Sequence, residues 1–130
     1  MKHIKMKMKI ISAKFHDDIK YQGCDCTGFE IETEDGFIRV MIDNFSQCCE
    51  DWDISMDPHC NLDTLVGRVV TSIKWEITDN KIKWEDEAIV DLQLDNMETI
   101  KIKATNYHNG YYPHSVFVEW PGHPPETQTI

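Results

Sequence analysis

Apolar and polar residues alternate one by one along most of this chain of 130 residues. Between His3 and Ile11, isoleucine and methionine fall on one face and lysine on the other. This period of two predicts a half-buried strand. A row of lysines on the exposed face is typical of an edge strand, because like charges discourage pairing with a second molecule. We therefore expect the first strand to lie at an edge of a sheet.

The same alternation predicts three hairpins, with turns at Asp35-Gly36, Asp79-Asn80 and Asp95-Asn96. The first is the best defined, because Asp-Gly between two alternating runs is a strong local hairpin signal. In the second hairpin we place Ile82 and Trp84 in the returning strand. In the third, Lys101 and Lys103 lie opposite the acidic residues of the partner strand, which is a favourable cross-strand match.

Some regions depart from the alternation and are predicted to be irregular. They are residues 14–28, the Cys- and Asp-rich segment from Asp43 to Cys60, a helical turn at Leu62–Leu65, and a loop from Asn106 to Pro113. Since no segment keeps a period of 3.6, helices should be few and short. We predict a mainly β fold, a single antiparallel β-sandwich, roll or open barrel over residues 1–120 with about seven or eight strands. Residues 121–130 are expected to be a polar C-terminal tail.

Charge is distributed unevenly along the chain, which has 13 basic and 23 acidic residues and a net charge of -10. Residues 25–63 contain 11 acidic residues and a single basic one, Arg39. Proteins that bind nucleic acid need clustered lysine and arginine, so we do not expect direct nucleic-acid binding. An acidic surface instead suits a basic protein partner.

The sequence also constrains the compartment. No apolar run approaches the about 18 residues that span a bilayer, and lysine interrupts the N-terminal segment at every second position. Five cysteines is an odd number, which fits reduced thiols better than a closed set of disulfides. We therefore expect a cytoplasmic protein with no membrane partner.

Metal ligands are present by residue type, and the candidates are Cys24, Cys26, Cys48, Cys49, His59 and Cys60. Structural zinc sites draw on cysteines two to four residues apart, whereas here neighbouring candidates are separated by one residue or none. This spacing argues against zinc, and we expect no cofactor. The pattern Asp51-x-Asp53-x-Ser55-x-Asp57 resembles the start of a calcium loop but lacks its later glycine and glutamate, so we interpret it as the acidic face of an exposed strand.

Candidate chemistry of other kinds is limited. A nucleophile formed by Cys48 or Cys49 with His108 or His114 is conceivable, but no surrounding signature supports it, so we do not expect an enzyme. Tyr107 and the residues that follow it combine aromatic rings with asparagine, which is a composition that binding sites favour.

Three short motifs resemble a group of small uncharacterised proteins from bacteriophages and bacteria. They are Cys48-Cys49-Glu50, Leu65-Val66-Gly67 and Asn109-Gly110-Tyr111-Tyr112, and the resemblance covers residues 43–120. Pro113 stands where those relatives tend to have glycine. The resemblance implies a compact β-rich domain of viral or mobile-element origin, and it supplies no catalytic residue.

These observations favour a non-enzymatic protein-interaction module, a phage accessory protein that modulates a host protein in the host cytoplasm. The candidate binding residues are Cys48, Cys49, Glu50, Trp52, Asn109, Gly110, Tyr111 and Tyr112. Our hypothesis is that the two loops carrying them converge at one end of the sheet. The alternative is a domain that binds a small molecule or zinc at the same Cys48/Cys49 and Asn109–Tyr112 loops.

Overall fold

The computed structural model describes residues 2–45, 51–80, 85–107 and 113–130. Within these ranges the chain forms nine strands and one 3-10 helix. The strands are β1 (Lys2–Tyr21), β2 (Cys24–Thr33), β3 (Gly36–Asp43), β4 (Asp51–Asp57), β5 (Val69–Asn80), β6 (Glu85–Leu94), β7 (Thr99–Tyr107), β8 (Ser115–Glu119) and β9 (Glu126–Thr129), and the 3-10 helix is Leu62–Leu65. The mainly β prediction, with few short helices, is therefore confirmed. Among the described residues, no helix has the length and apolar character needed to cross a membrane.

All strand pairs are antiparallel, and the strand order is β4-β7-β6-β5-β1-β2-β3-β8-β9. The long strand β1 joins two parts of this sheet. Lys2–Lys9 pairs with β5, and Ile10–Tyr21 pairs with β2. We call β4, β7, β6, β5 and the first part of β1 half-sheet A, and the second part of β1 with β2, β3, β8 and β9 half-sheet B.

The two half-sheets pack face to face around one core. Residues that alternate toward the inside of both halves belong to a single buried cluster, whose members include Ile31, Ile38, Val40, Val116, Ile73, Val90, Leu92 and Ile102. Burial of each such side chain is worth about 1.5–3 kcal/mol. The sheet is thus folded over on itself and is not closed into a barrel, an arrangement within the predicted set of sandwich, roll or open barrel.

The two halves of β1 explain one success and one error of the sequence prediction. Within the described residues, Lys2–Lys9 has a ladder partner on one side only, as expected of an edge strand, although β1 as a whole is central. Residues 14–28 were predicted to be irregular, but most of them continue β1 or form β2. Register shifts between Ile10 and Ser12 and between His16 and Ile19 break the period of two there, so the alternation does not reveal the strand.

Two predicted hairpins are confirmed. Thr33 pairs with Gly36 across the first turn. In the third hairpin the Nζ atom of Lys103 lies 3.1 Å from Oε1 of Glu87, as the opposed charges predict. The predicted turn of the second hairpin at Asp79-Asn80 is wrong, because both residues belong to β5 and pair with Asp86 and Glu85 of β6. Ile82 and Trp84 lie outside the described residues.

Two predictions of irregular structure are corrected. The segment Asp43–Cys60 contains β4, which pairs with β7 along its whole length. Residues 121–130 are not a loosely held tail, because β9 pairs with β8 and Ile130 is 2% exposed. The sequence does not predict this strand because β9 is held by backbone hydrogen bonds and by the single buried apolar residue that follows it, Ile130. These features leave almost no pattern in the sequence. The predicted helical turn at Leu62–Leu65 is confirmed as the 3-10 helix.

Candidate functional site

The chain crosses between the half-sheets through two connections, and both contain predicted site residues. The connection from β3 to β4 includes Cys48, Cys49 and Glu50, and the connection from β7 to β8 includes Asn109, Gly110, Tyr111 and Tyr112. These seven residues lie outside the described part of the chain. What the structure describes is the set of residues on which the two connections begin and end.

The two connections begin and end on neighbouring strands. In half-sheet B, Ile42 near the end of β3 pairs with Val116 near the start of β8. In half-sheet A, Asp51 at the start of β4 pairs with Tyr107 at the end of β7. Cα atoms of paired residues in an antiparallel ladder are about 4.5–5.5 Å apart. Both connections are therefore anchored side by side, at the same end of the fold.

Asp43 links the end of β3 to the start of β8 in half-sheet B. Its carboxylate accepts a hydrogen bond from the backbone N–H of Ser115 at 2.5 Å, and its Oδ1 lies 2.8 Å from Nδ1 of His114. The same ring nitrogen lies 2.8 Å from the carbonyl oxygen of Asp43. Because both neighbours are acceptors, Nδ1 of His114 carries the hydrogen. His114 is 2% exposed, so its imidazole lies in the interior. We call Asp43, His114 and Ser115 the joint.

Trp52 is the one predicted binding residue that the structure describes. Its half-buried indole lies on β4 with its ring centroid 5.8 Å from that of His114, at a tilt of 43°. This contact links the start of β4 to the start of β8, and so connects the two half-sheets at their anchored end. Trp52 thus lies at the joint between the connections, as a partly exposed aromatic surface.

A cleft of about 380 Å³ opens beside this joint. It is lined by Cys24, Asp25, Asp43, Asn44, Phe45 and Pro113. Phe45 and Pro113 immediately flank the two undescribed segments, and the Phe45 side chain is 67% exposed. An exposed phenylalanine at the rim of an acidic cleft is a surface that can contact a partner.

The predicted acidic face of β4 is confirmed. Asp51, Asp53 and Asp57 are exposed, and the apolar residues between them point inward. Tyr107 is 50% exposed and pairs with Asp51 on one side and with Glu85 on the other. We call Asp51, Asp53, Glu85 and Tyr107 the acidic end.

Within the ranges that the structure describes, no lysine of β7 lies directly opposite Asp51 or Asp53. In the register, Lys101 lies opposite Asp57, and Lys103 lies opposite Ser55, toward the far end of β4. Thr105 and Tyr107 are the β7 residues that face Asp53 and Asp51. Among the described residues of β4 and β7, the end next to the two connections is therefore acidic.

Arg39, the single basic residue among residues 25–63, forms ion pairs within half-sheet B. Its guanidinium lies 2.7 Å from Oε2 of Glu30 and 2.7 Å from Oε1 of Glu119, and it stacks on the ring of Phe37 at 4.0 Å. Partial burial alone would raise the pKa of Glu30, but hydrogen bonds from Arg39 and His16 outweigh it and lower that pKa. Arg39 thus stabilises half-sheet B.

The predicted metal ligands that lie in the described ranges do not form one cluster. The Cys26 thiol is buried and donates weakly to the carbonyl oxygen of Tyr21 at 3.8 Å, while Cys24 lines the cleft beside the joint. Burial, followed by the nearby Cys24 and acidic groups, raises the pKa of Cys26 to about 12, so its thiol stays protonated. In the described ranges, no three histidine, cysteine or acidic side chains form a group able to hold a metal ion.

His59 and Cys60 lie in a separate place. They line an apolar cleft of about 300 Å³ where β4 approaches the region of β1 and β2. The rings of Phe15 and Phe29 meet edge to face at its wall, with centroids 5.1 Å apart. Cys60 is a half-buried free thiol there, and it packs against the core.

Sequence reasoning missed the role of Asp43. The available signal was its position at the end of an alternating run, where an outward-facing acid at a strand terminus can accept backbone N–H groups. The partner Ser115 is 72 residues away in sequence, so only the fold reveals the contact.

The family described as Domain of unknown function (DUF7448) matches residues 2–118. The chain belongs to the DUF7448 family. The matched range of this DUF7448 chain runs from the start of β1 into β8, so it includes the joint and the acidic end. No curated protein and no solved structure gives a significant match.

Proposed function

We propose that this DUF7448 protein is a non-enzymatic interaction module that binds a basic protein through the acidic end and the two adjoining connections. The observation that carries the proposal is the side-by-side anchoring of those connections by the Asp51–Tyr107 and Ile42–Val116 pairs. Because the two segments begin and end on neighbouring strands, our proposal is that one partner contacts both of them. The proposed contacts are Cys48, Cys49, Glu50, Trp52, Asn109, Gly110, Tyr111 and Tyr112.

The chemistry of the acidic end favours lysine or arginine in the partner. Tyr107 offers an exposed ring between the carboxylates of Asp51 and Glu85. An aromatic face attracts a cation by about 0.5–1 kcal/mol at an exposed site. The surrounding carboxylates add a field that speeds association with a positively charged surface and makes the rate sensitive to salt.

We extend the proposal to the setting of the protein. It acts as a phage accessory protein on a host protein, in the host cytoplasm. The free thiols of Cys24, Cys26 and Cys60 support a reducing compartment, since none of the three is in a disulfide. Cys24 and Cys26 stand only one residue apart on β2, which is consistent with thiols kept reduced.

Affinity capture with matched charge variants tests the proposal. Wild-type protein, the triple variant Asp51→Asn/Asp53→Asn/Glu85→Gln and the control variant Asp63→Asn/Asp95→Asn/Glu98→Gln are immobilised and exposed to the same host lysate. We expect a partner that the wild type and the control retain at low salt, that the triple variant loses, and that elutes as salt rises. Equal capture by both triple variants, or no salt-sensitive partner, would overturn the proposal.

A second candidate function is small-molecule or zinc binding at the Cys48/Cys49 and Asn109–Tyr112 connections. The observation that favours it is the cleft of about 380 Å³ that both connections flank, with Cys24 in its wall. Native mass spectrometry of protein purified without chelator distinguishes the two candidates. One bound zinc ion or organic ligand per chain favours the second candidate, and the mass of the bare chain counts against it.

A further inference from the structure

A pocket at a seam of the fold is lined by Trp75 and Glu126, and each of these residues has a buried polar atom with no hydrogen-bond partner among the described residues. It has a volume of about 290 Å³ and is lined by Lys2, Trp75, Glu76, Ile77, Glu126 and Gln128. The seam lies where β9, the last strand of half-sheet B, approaches β1 and β5 of half-sheet A. The pocket shares no residue with the acidic end or the joint.

The first unused atom is a donor. Trp75 is 4% exposed, and its indole N–H has no hydrogen-bond partner among the described residues. A buried donor without a partner destabilises the fold, so natural proteins rarely keep one without a reason. An acceptor inside the pocket would satisfy it.

The second unused atom is an acceptor. Oε2 of Glu126 is bonded to the ammonium group of Lys2, whereas Oε1 is buried and has no partner in the described residues. Nε2 of His123 lies 3.9 Å from the same Oε2 atom, so both nearby basic groups are on one side of the carboxylate and leave Oε1 without a donor in the described residues. The unsatisfied oxygen therefore favours a donor that is itself positively charged.

We propose that this pocket binds a small primary amine that also has a hydroxyl or carbonyl oxygen, with the ammonium on Oε1 of Glu126 and the oxygen accepting from the indole of Trp75. The volume equals that of roughly ten water molecules, which exceeds what a single bridging water needs and suits a compact organic molecule. Ile77 provides an apolar wall for its carbon atoms. This site is independent of the proposed protein-interaction surface.

Nuclear magnetic resonance of the indole N–H groups tests the proposal directly. The signal of Trp75 is assigned by its loss in Trp75→Phe, and the wild type is titrated with ethanolamine. The matched probes are ethylamine, which lacks the acceptor, and ethylene glycol, which lacks the charge. A ligand of four non-hydrogen atoms that reaches about half to two-thirds of the upper limit of binding energy per atom has a Kd of about 1–10 mM. We expect a saturable shift of the Trp75 signal in that range, at least about tenfold weaker binding of ethylamine, and no shift with ethylene glycol.

Two variants show whether the shift comes from this pocket. Glu126→Gln should weaken ethanolamine at least about tenfold because it removes the charged acceptor, whereas Glu98→Gln, an exposed acid elsewhere, should leave binding unchanged. The backbone spectrum of each variant reports whether it is folded. If Glu126→Gln disturbs β9, Trp75→Phe gives the second test. Binding of ethanolamine to this variant is monitored through the backbone amide signal of Gln128, and it should also be weaker than in the wild type.

Three results would overturn the proposal. They are a Trp75 signal that does not shift at ethanolamine concentrations well above the expected range, equal affinities for ethanolamine and ethylamine, and a shift that persists unchanged in a folded Glu126→Gln variant. The first would mean that the pocket holds water only, and the others would mean that the amine binds without the two atoms named here.

Discussion

Replacing Asp43 by alanine tests the joint on which the candidate site depends. The carboxylate accepts from Ser115 N–H and from Nδ1–H of His114, and a hydrogen bond to a charged acceptor is worth about 1.5–3 kcal/mol. The imidazole keeps the carbonyl oxygen of Asp43 as a second acceptor, so only part of its bond is lost. We therefore expect Asp43→Ala to lower the free energy of unfolding by about 2–4 kcal/mol.

Urea denaturation monitored by tryptophan fluorescence measures this loss. With a denaturant dependence of about 1.5 kcal/mol per molar urea for a domain of this size, the midpoint should fall by roughly 1.3–2.7 M. Asp43→Asn should fall between wild type and alanine, because its amide oxygen can still accept from Ser115 while its NH₂ group opposes the N–H of His114.

Asp53→Ala is the matched control, since Asp53 is exposed on β4 and its loss should change stability by less than about 0.5 kcal/mol. If the midpoints of Asp43→Ala and Asp53→Ala agreed, Asp43 would not hold β8 against β3. The anchoring of the two connections would then have to come from the strand ladder alone.

Three further predictions concern half-sheet B. Gly28→Ala would place its Cβ 2.1 Å from the carbonyl oxygen of Val40, so it should lose at least about 3 kcal/mol of stability in urea; a wild-type midpoint would refute the packing. Because the pKa of Glu30 is lowered from 4.5, its pairing with Arg39 stabilises the fold above that value and is lost as the pH falls below it. Glu30→Gln should therefore be less stable at neutral pH and show a shallower acid decline than wild type, and parallel acid profiles would contradict this. With the pKa of Cys26 raised from 9.0 to about 12, its native thiol should contain roughly a thousandfold less thiolate at pH 8 than in urea, so peptide-level alkylation should be slow until the protein unfolds.

The sequence predicts those parts of the fold that are held by neighbours along the chain. The Asp35-Gly36 turn, the Lys103–Glu87 pair and the acidic face of β4 all follow from a period of two, since alternate side chains share a face. Each of these features needs only one strand or one hairpin to be recognised.

The features that the sequence does not predict depend on distant residues or on the backbone. Strand β1 changes partners along its length, and its register shifts conceal the alternation beyond Ser12. Strand β9 pairs with β8 through backbone hydrogen bonds, is followed by the buried Ile130, and contacts Lys2 through Glu126. The contact of Asp43 with Ser115 and the shared pocket of Trp75 and Glu126 join residues far apart in sequence, so no local pattern could indicate them.

The topology of the chain is one argument for the proposal that a partner binds at the two connections. The chain passes between the half-sheets three times: once within β1, and twice through the connections from β3 to β4 and from β7 to β8. A substitution in β1 alters hydrogen-bonded ladders on which both halves depend, whereas a substitution in a connection leaves every described ladder intact. Residues there can be selected for contact with a partner at little cost to folding. This is the topological reason for proposing the two connections as the contact region, with the acidic end beside them as the source of charge for a basic partner.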